Sequence, residues 1–224
     1  MKRIDTVIFD LDGTLLNTID DIADSCNEML TAGGYPTHVT AAYYQMVGNG
    51  VVALITRALP ENSRTDTEIT YRVAEYQKTY GRINGRKTAP YPGIKTMLAE
   101  FVKREIKLAI LSNKPHEDTV QCMSDHFREI PFAAIRGADP SLPLKPDPSQ
   151  VFTMLTEMSS SAQYTFFAGD SPVDVTTARN AGITPISVTW GYRSRLELLA
   201  YNNFLIDTPE QLIPTIDNLI KTNN

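Results

Sequence analysis

Acidic residues recur in this chain where short apolar runs stop, and their spacing is the first sign of chemistry. In VIFDLDGTL, residues 7–15, Asp10 and Asp12 stand two apart, which on an extended chain points both side chains to one side. Ile4, Val7, Ile8 and Phe9 precede them, the pattern of a buried parallel strand whose carboxyl end opens onto a site. Gly13 then permits a tight turn. Two carboxylates so close repel, so a cation must sit between them or one must hold a proton. A magnesium ion meets that need, because hard cations take oxygen ligands.

Three further places combine a strand end or turn with a polar group. Ser112 follows the apolar run KLAIL and precedes Asn113, Lys114 and Pro115. Lys145 lies in PLKPDPSQ, where Pro146 biases it towards extended backbone. Asp170 and Asp174 lie in GDSPVDV after the run YTFFA. Ser171 suits a helix N-cap, Pro172 the first helical position and Asp174 the closing member of a capping box, whereas Asp170 stands before the cap. Taken singly, Ser112 reads as a turn residue, Lys145 as a solvated loop lysine and Asp174 as a cap.

The elements that must position these groups follow from periodicity. Residues 19–30 carry apolar positions at helical spacing after a candidate N-cap, Thr18, and stop at Gly33 and Gly34. Residues 40–47, 51–59 and 68–80 are predicted helices, the last closed by Gly81, and residues 82–90 read as a linker. From residue 94 onward helices alternate with short apolar strands at 107–111, 132–135, 164–168, 186–189 and 204–206. Such alternation predicts an α/β fold with a Rossmann-like, doubly wound parallel sheet, in which ligands bind beyond the carboxyl ends of the strands. The expected organisation is a core of residues 1–16 and 88–224 interrupted by a helical cap at 17–87.

With these motifs in order, the chain resembles the haloacid dehalogenase superfamily, specifically its phosphatases, over nearly its whole length. D-x-D-G-T-L at Asp10–Asp12, the strand-end Ser112, K-P-D-P at Lys145 and G-D-x-x-x-D at Asp170–Asp174 match the four motifs. The resemblance implies that Asp10 is a nucleophile that becomes an aspartyl phosphate, and that Asp12 is a general acid–base. A carboxylate nucleophile suits this task, since it divides a hard phosphoryl transfer into two steps. Ser112 would then donate to a phosphoryl oxygen, and Lys145 would offset charge on the nucleophile and phosphoryl group. Asp10, Asp12, Asp170 and Asp174 would hold magnesium, with Asp174 a ligand or a support. L-S-N-K-P and V-G-N-G are similar to the phosphoglycolate phosphatase forms, which places Gly48, Asn49, Gly50, Asn113 and Thr14 at the substrate. RGADPSLPL before Lys145 departs from the glycine-rich form of those enzymes.

Composition excludes other classes. The chain has 224 residues, 42% of them hydrophobic, enough for a proper core. Its net charge of −5 disfavours nucleic acid or an acidic membrane as the main partner. No stretch is apolar enough to span a membrane. Cys26 and Cys122 stand alone without CxxC spacing, as reduced core thiols of a cytoplasmic protein would. The expected partner is a small phosphorylated metabolite, bound by a monomer or homodimer. Gly48-x-Gly50-x-x-Ala53 also fits a loose dinucleotide pattern, but its flanks are helical where that fold needs a strand. A sugar-phosphate mutase shares all four motifs, and a phosphoryl-accepting receiver domain would lack the helical insert. A silent binding protein would be expected to have lost a motif residue.

Overall fold

A computed structural model describes residues 4–222 of the chain; the basic Lys2 and Arg3 of the N-terminal stretch lie outside the described residues. Strand β1 (Thr6–Phe9) is buried along its whole length, as its uninterrupted apolar sequence requires. It lies between β4 (Lys107–Pro115) and β6 (Thr165–Gly169), with β5 (Phe132–Ala138), β7 (Thr184–Val188) and β8 (Leu205–Ile206) completing the sheet. Its order is β5-β4-β1-β6-β7-β8 and every pairing is parallel. Phe9 pairs with both Ile110 and Ala168, which brings Asp10, Ser112 and Asp170 out at one edge.

Side-chain alternation along β1 builds two cores. Val7 and Phe9 pack with Phe101 of α5 (Ile94–Lys103), Met123 and Phe127 of α6 (His116–Phe127) and Ile216 of α10 (Leu212–Thr222). Ile8 faces the other way, onto Met154 of α7 (Ser149–Glu157) and Ala178 of α8 (Pro172–Asn180). The result is a three-layer α/β sandwich of the expected class. The predicted strand at 107–111 runs on through Ser112, Asn113 and Lys114, but its register against β5 is irregular between Leu111 and Pro115. Those three residues are thereby released from regular pairing at the strand's end.

Between β1 and α5 the chain makes α1 (Ile19–Ala32), α2 (Thr40–Tyr43), α3 (Val51–Ala58) and α4 (Asp66–Ile83). They share an apolar core of their own, with Cys26, Leu30, Tyr43, Ile55 and Tyr80 at its centre. An antiparallel ribbon of β2 (Leu16–Asn17) and β3 (Ala89–Pro90) joins both ends of this insert to the sheet domain. Asp21, in the first turn of α1, is fully buried beneath the returning chain. Its carboxylate accepts hydrogen bonds from the backbone N–H groups of Gly85, Lys87 and Thr88 and from the Thr88 hydroxyl.

Two helices differ from their predicted extents for identifiable reasons. The helix predicted over 40–47 stops at Tyr43, where the N–H groups of Gln45 and Met46 turn to carbonyls three residues back, Ala42 O and Tyr43 O; the free carbonyls of Tyr44, Met46 and Val47 then accept from Arg193 and Arg57. The helix expected to close at Gly81 runs on to Ile83. Tyr80 and Ile83 are both buried, and that packing outweighs the roughly 1 kcal/mol that glycine costs inside a helix.

Candidate active site

Asp10 follows β1 directly, and its N–H donates to Ala168 O across to β6. Its carboxylate meets the Lys145 ammonium at 2.8 Å, and the same Nζ lies 2.7 Å from Asp174 Oδ1. The other Asp174 oxygen accepts from the Ser171 N–H at 3.1 Å and hydroxyl at 2.6 Å, so the capping box exists and Asp174 serves helix start and site together. Asp170 Oδ2 accepts the Tyr192 N–H at 2.6 Å. The backbone comes very close here. A Cβ on Gly13, whose φ is +85°, would lie 2.4 Å from Asp170 Oδ2, and one on Gly191 would lie 2.3 Å from Asp170 Cβ.

Asp10, Asp170 and Asp174 each offer a carboxylate oxygen, all within 4.8 Å of one another. Burial is the main reason Asp10 is pushed up to about 7, with Asp174 adding to the rise and Lys145 opposing it. Burial, then the neighbouring Asp10 and Asp174, hold the Asp170 carboxyl well above its ordinary value. Burial works against the Lys145 ammonium, but attraction to Asp10 and Asp174 outweighs it and holds its pKa above the usual lysine value. One lysine therefore does not neutralise three crowded carboxylates. The remaining charge, the hard oxygen donors and their separation fit a divalent cation.

Asp12 stands outside that cluster. Thr18, expected as an N-cap, makes no side-chain cap; its hydroxyl donates to Asp12 Oδ1 at 2.7 Å and bonds the Tyr192 hydroxyl at 2.9 Å. Lys114 Nζ lies 3.2 and 3.4 Å from the two Asp12 oxygens and donates to Tyr80 Oη of the insert at 2.6 Å. Two buried lysines thus divide the acids, Lys145 to Asp10 and Asp174, Lys114 to Asp12.

Ser112 Oγ accepts from the Lys114 N–H at 3.2 Å, leaving its own proton to donate, and the residue lines the cleft above Asp10. Asn113 also lines it, but its amide is committed: Nδ2 donates to Gly48 O at 3.0 Å and Lys145 O at 3.1 Å, while Oδ1 accepts from Lys145 N at 2.9 Å. It ties the loop of the insert to the backbone of Lys145. Gly48 and Gly50 border the cleft, and a Cβ on Gly50 would come within 2.9 Å of Leu144. Asn49 turns its Oδ1 to Arg57, away from the lining residues. Thr14 is buried behind the site; its carbonyl accepts from Trp190 Nε1 at 2.9 Å, and its hydroxyl has no partner among the described residues. The cleft encloses about 670 Å³, part of it open to solvent, with Ile22, Val47, Leu54 and Tyr76 of the insert facing the acids.

This geometry has parallels. The haloacid dehalogenase-like hydrolase family model matches residues 7–188, which include all four acids, Ser112 and Lys145. The chain belongs to this family. A phosphoglycolate phosphatase of Vibrio cholerae serotype O1 is 32% identical over 197 residues, covering 86% of this chain and 87% of that protein. One from Pseudomonas syringae pv. tomato is 30% identical over 213 residues, covering 93% and 78%. A solved structure from Lactobacillus delbrueckii subsp. bulgaricus, itself described only as a candidate phosphoglycolate phosphatase, superposes with a TM-score of 0.90. It shares 26% identity and covers 96% of this chain and 99% of its own. The protein is a haloacid dehalogenase-family phosphatase that resembles the phosphoglycolate phosphatases. Among the described residues no helix is long and apolar enough to cross a membrane.

Several residues of the site escaped sequence reasoning. Lys114 was visible only as part of S-N-K-P; a lysine following a strand-end serine was the available signal. Arg193 closes the W-G-Y-R run that follows β7, to which the sequence assigns no role. Its guanidinium reaches the carbonyls of Tyr44 and Val47 and clamps the insert over the sheet domain. Tyr80 and Tyr192 gave no signal at all, being ordinary core aromatics by pattern.

Proposed function

We propose that the protein hydrolyses a small phosphate monoester through an aspartyl phosphate on Asp10, with magnesium as cofactor. The observation that carries this reading is the Asp10 carboxylate at a strand end, 2.8 Å from Lys145 and within 4.8 Å of Asp170 and Asp174. Residues 17–87 act as the cap, supported by their separate core and their apolar face on the cleft. Asp10, Asp170 and Asp174 would hold the ion, with Asp12 beside them. When bound, magnesium supplies Lewis-acid stabilisation of phosphoryl charge.

In the first half-reaction an Asp10 oxygen bonds to phosphorus as the bond to the ester oxygen breaks. Asp12 gives that departing oxygen a proton, and the free alcohol leaves. In the second, Asp12 takes a proton from a water that attacks phosphorus, releasing inorganic phosphate and restoring Asp10. Lys145 and the Ser112 hydroxyl stabilise charge on the phosphoryl oxygens from fixed positions, at no cost of reorganisation during reaction. Asn113 acts through Lys145, whose backbone it grips at both N–H and C=O. The insert excludes bulk water from the cleft.

The substrate in this reading is compact and anionic, 2-phosphoglycolate or a similar metabolite, and the setting cytoplasmic. Its support is the likeness to phosphoglycolate phosphatases and the two buried unpaired thiols, Cys26 and Cys122. The test is phosphate release from a panel of monoesters, with magnesium and with chelator. Magnesium-dependent release, greatest for small carboxylated esters, is expected. Release unaffected by chelation, or an isomerised sugar phosphate in place of free phosphate, would overturn the reading.

A further inference from the structure

Lys114 is a buried cation whose surroundings do not explain it as a partner for Asp12 alone. Its side chain is only 4% exposed, yet it lines the cleft. Its short contact is to Tyr80 Oη at 2.6 Å; the approaches to Asp12 are longer and split between both oxygens. Asp12 already accepts the Thr18 hydroxyl at 2.7 Å. Tyr80 thus holds the ammonium in place, and Asp12 lies beside it. An ammonium has three protons. Tyr80 takes one and the two Asp12 oxygens share a second, while the third has no acceptor among the described residues.

The position of this uncommitted donor is informative. Lys145 serves the acids around the transferred phosphoryl group, whereas Lys114 touches Asp12, the acid that faces the departing oxygen. Around it Ile22, Leu54 and Tyr76 form apolar walls, where a charge–charge contact is screened far less than in water. The other cation lining the cleft, Arg193, is spent on the carbonyls of Tyr44 and Val47 and on Glu197. Asp118 also borders this compartment, and burial raises its carboxyl above the ordinary value while Lys114 opposes the rise.

We infer that Lys114 is the specificity residue for the leaving group, and that it binds a carboxylate carried on a short alcohol next to the ester oxygen. The inference rests on the monoester phosphatase assignment with Asp12 as the acid. A carboxylate completes the coordination of the ammonium by a charge-assisted hydrogen bond inside an apolar compartment. A neutral alcohol leaves that proton without an acceptor.

The experiment compares 2-phosphoglycolate with 2-hydroxyethyl phosphate, nearly equal in size but with an uncharged leaving group, on wild type and Lys114→Met. Wild type should favour the carboxylated ester in kcat/KM by about tenfold to a hundredfold, the worth of one hydrogen bond to a charged group. Lys114→Met should lose that ratio, chiefly through KM on the carboxylated ester, and Lys114→Arg should keep much of it. Equal losses on both esters would show that Lys114 acts only through Asp12 and would overturn the inference. Should Lys114→Met fail to fold, wild type decides alone: glycolate should compete with substrate and ethylene glycol should not, and equal inhibition overturns it. If wild type hydrolyses only the neutral ester, the inference falls while the phosphatase assignment stands. If it hydrolyses neither, the proposed substrate class fails and this inference with it.

Discussion

On the sheet side of the cleft four charged side chains are crowded together: Lys145 pairs with Asp10 and Asp174, and Asp170 brings an oxygen within 4.8 Å of theirs. On the insert side the surface is mostly apolar, and its position depends on a few polar contacts. Arg193 holds two of its carbonyls, Asn113 holds Gly48 O, and Asp21 holds the returning chain. The sheet side spends stability on function, because like charges are forced together and kept from water. The insert side is stabilised by ordinary burial, and its polar contacts decide where it sits. Substitutions on the two sides should therefore fail in different ways.

The largest effect belongs to Asp10→Asn, which removes the carboxylate we propose as the attacking group. Turnover should fall on the order of a thousandfold or more. The melting temperature of the metal-free protein should rise, because one charge leaves a crowded, buried cluster. Phosphate release and thermal melts on one preparation check both, and near wild-type turnover would remove Asp10 from its role.

Lys145→Met should cost activity and stability together. It strands Asp10 and Asp174, and breaking a buried ion pair by removing one partner costs about 3–5 kcal/mol. Adding Asp174→Asn should restore part of that stability without restoring turnover. Urea denaturation of the single and double variants measures the coupling, and simple additivity would mean that the pair carries no interaction energy.

Asp170→Ala should raise the magnesium concentration for half-maximal activity by about tenfold or more, since it removes a proposed charged oxygen ligand. Asp174→Ala should shift it less and also lower stability by about 1 kcal/mol, the usual worth of a helix cap. Magnesium titrations order the two; equal shifts would make Asp174 a full ligand.

The insert side is tested by Gly50→Val. A side chain there meets Leu144 Cδ1 at 2.9 Å and must adopt a φ of +85°, which a β-branched residue rarely does, so the loop must shift. We expect kcat/KM to drop by roughly tenfold through KM, with a magnesium response like that of wild type, since strain of this kind costs about 1–3 kcal/mol. A changed magnesium titration would show that the two sides are not separable.

The smallest effect is a pH slope. Asp10 is raised from 3.8 to about 7 in the folded protein. Between those values the folded, metal-free protein holds a proton that the unfolded chain has released. The group's contribution to stability is thus complete below 3.8 and is lost as pH rises through about 7, at no more than ~1.4 kcal/mol per pH unit. The difference between wild type and Asp10→Asn in denaturation across that range isolates it. Magnesium should stabilise most at the upper end, where the carboxylate is ionised.

The division between the sides also governs what could be read before any coordinates. Asp10, Ser112 and Asp170 were legible because each follows an apolar run, and parallel strands in register must end together. The capping box at Ser171 and Asp174 was legible because capping is local chemistry, settled within one turn of helix. The alternation of strands and helices settled the fold class for the same reason: hydrophobic periodicity is a property of neighbouring residues. What tertiary structure alone decided is which polar groups meet across long separations. Thr18 looked like a cap and became a donor to Asp12, because the Tyr192 hydroxyl, 174 residues on, fixes it there. Asp21, an ordinary first-turn acid by position in α1, anchors the returning chain at Thr88, 67 residues away. The carbonyls of Tyr44 and Val47 after the helix at Thr40 are taken by Arg193, and Lys114 became part of the site because Tyr80 of the insert reaches it. No local propensity encodes such pairings; they exist only once burial has brought distant segments together and left their polar groups to pair with one another.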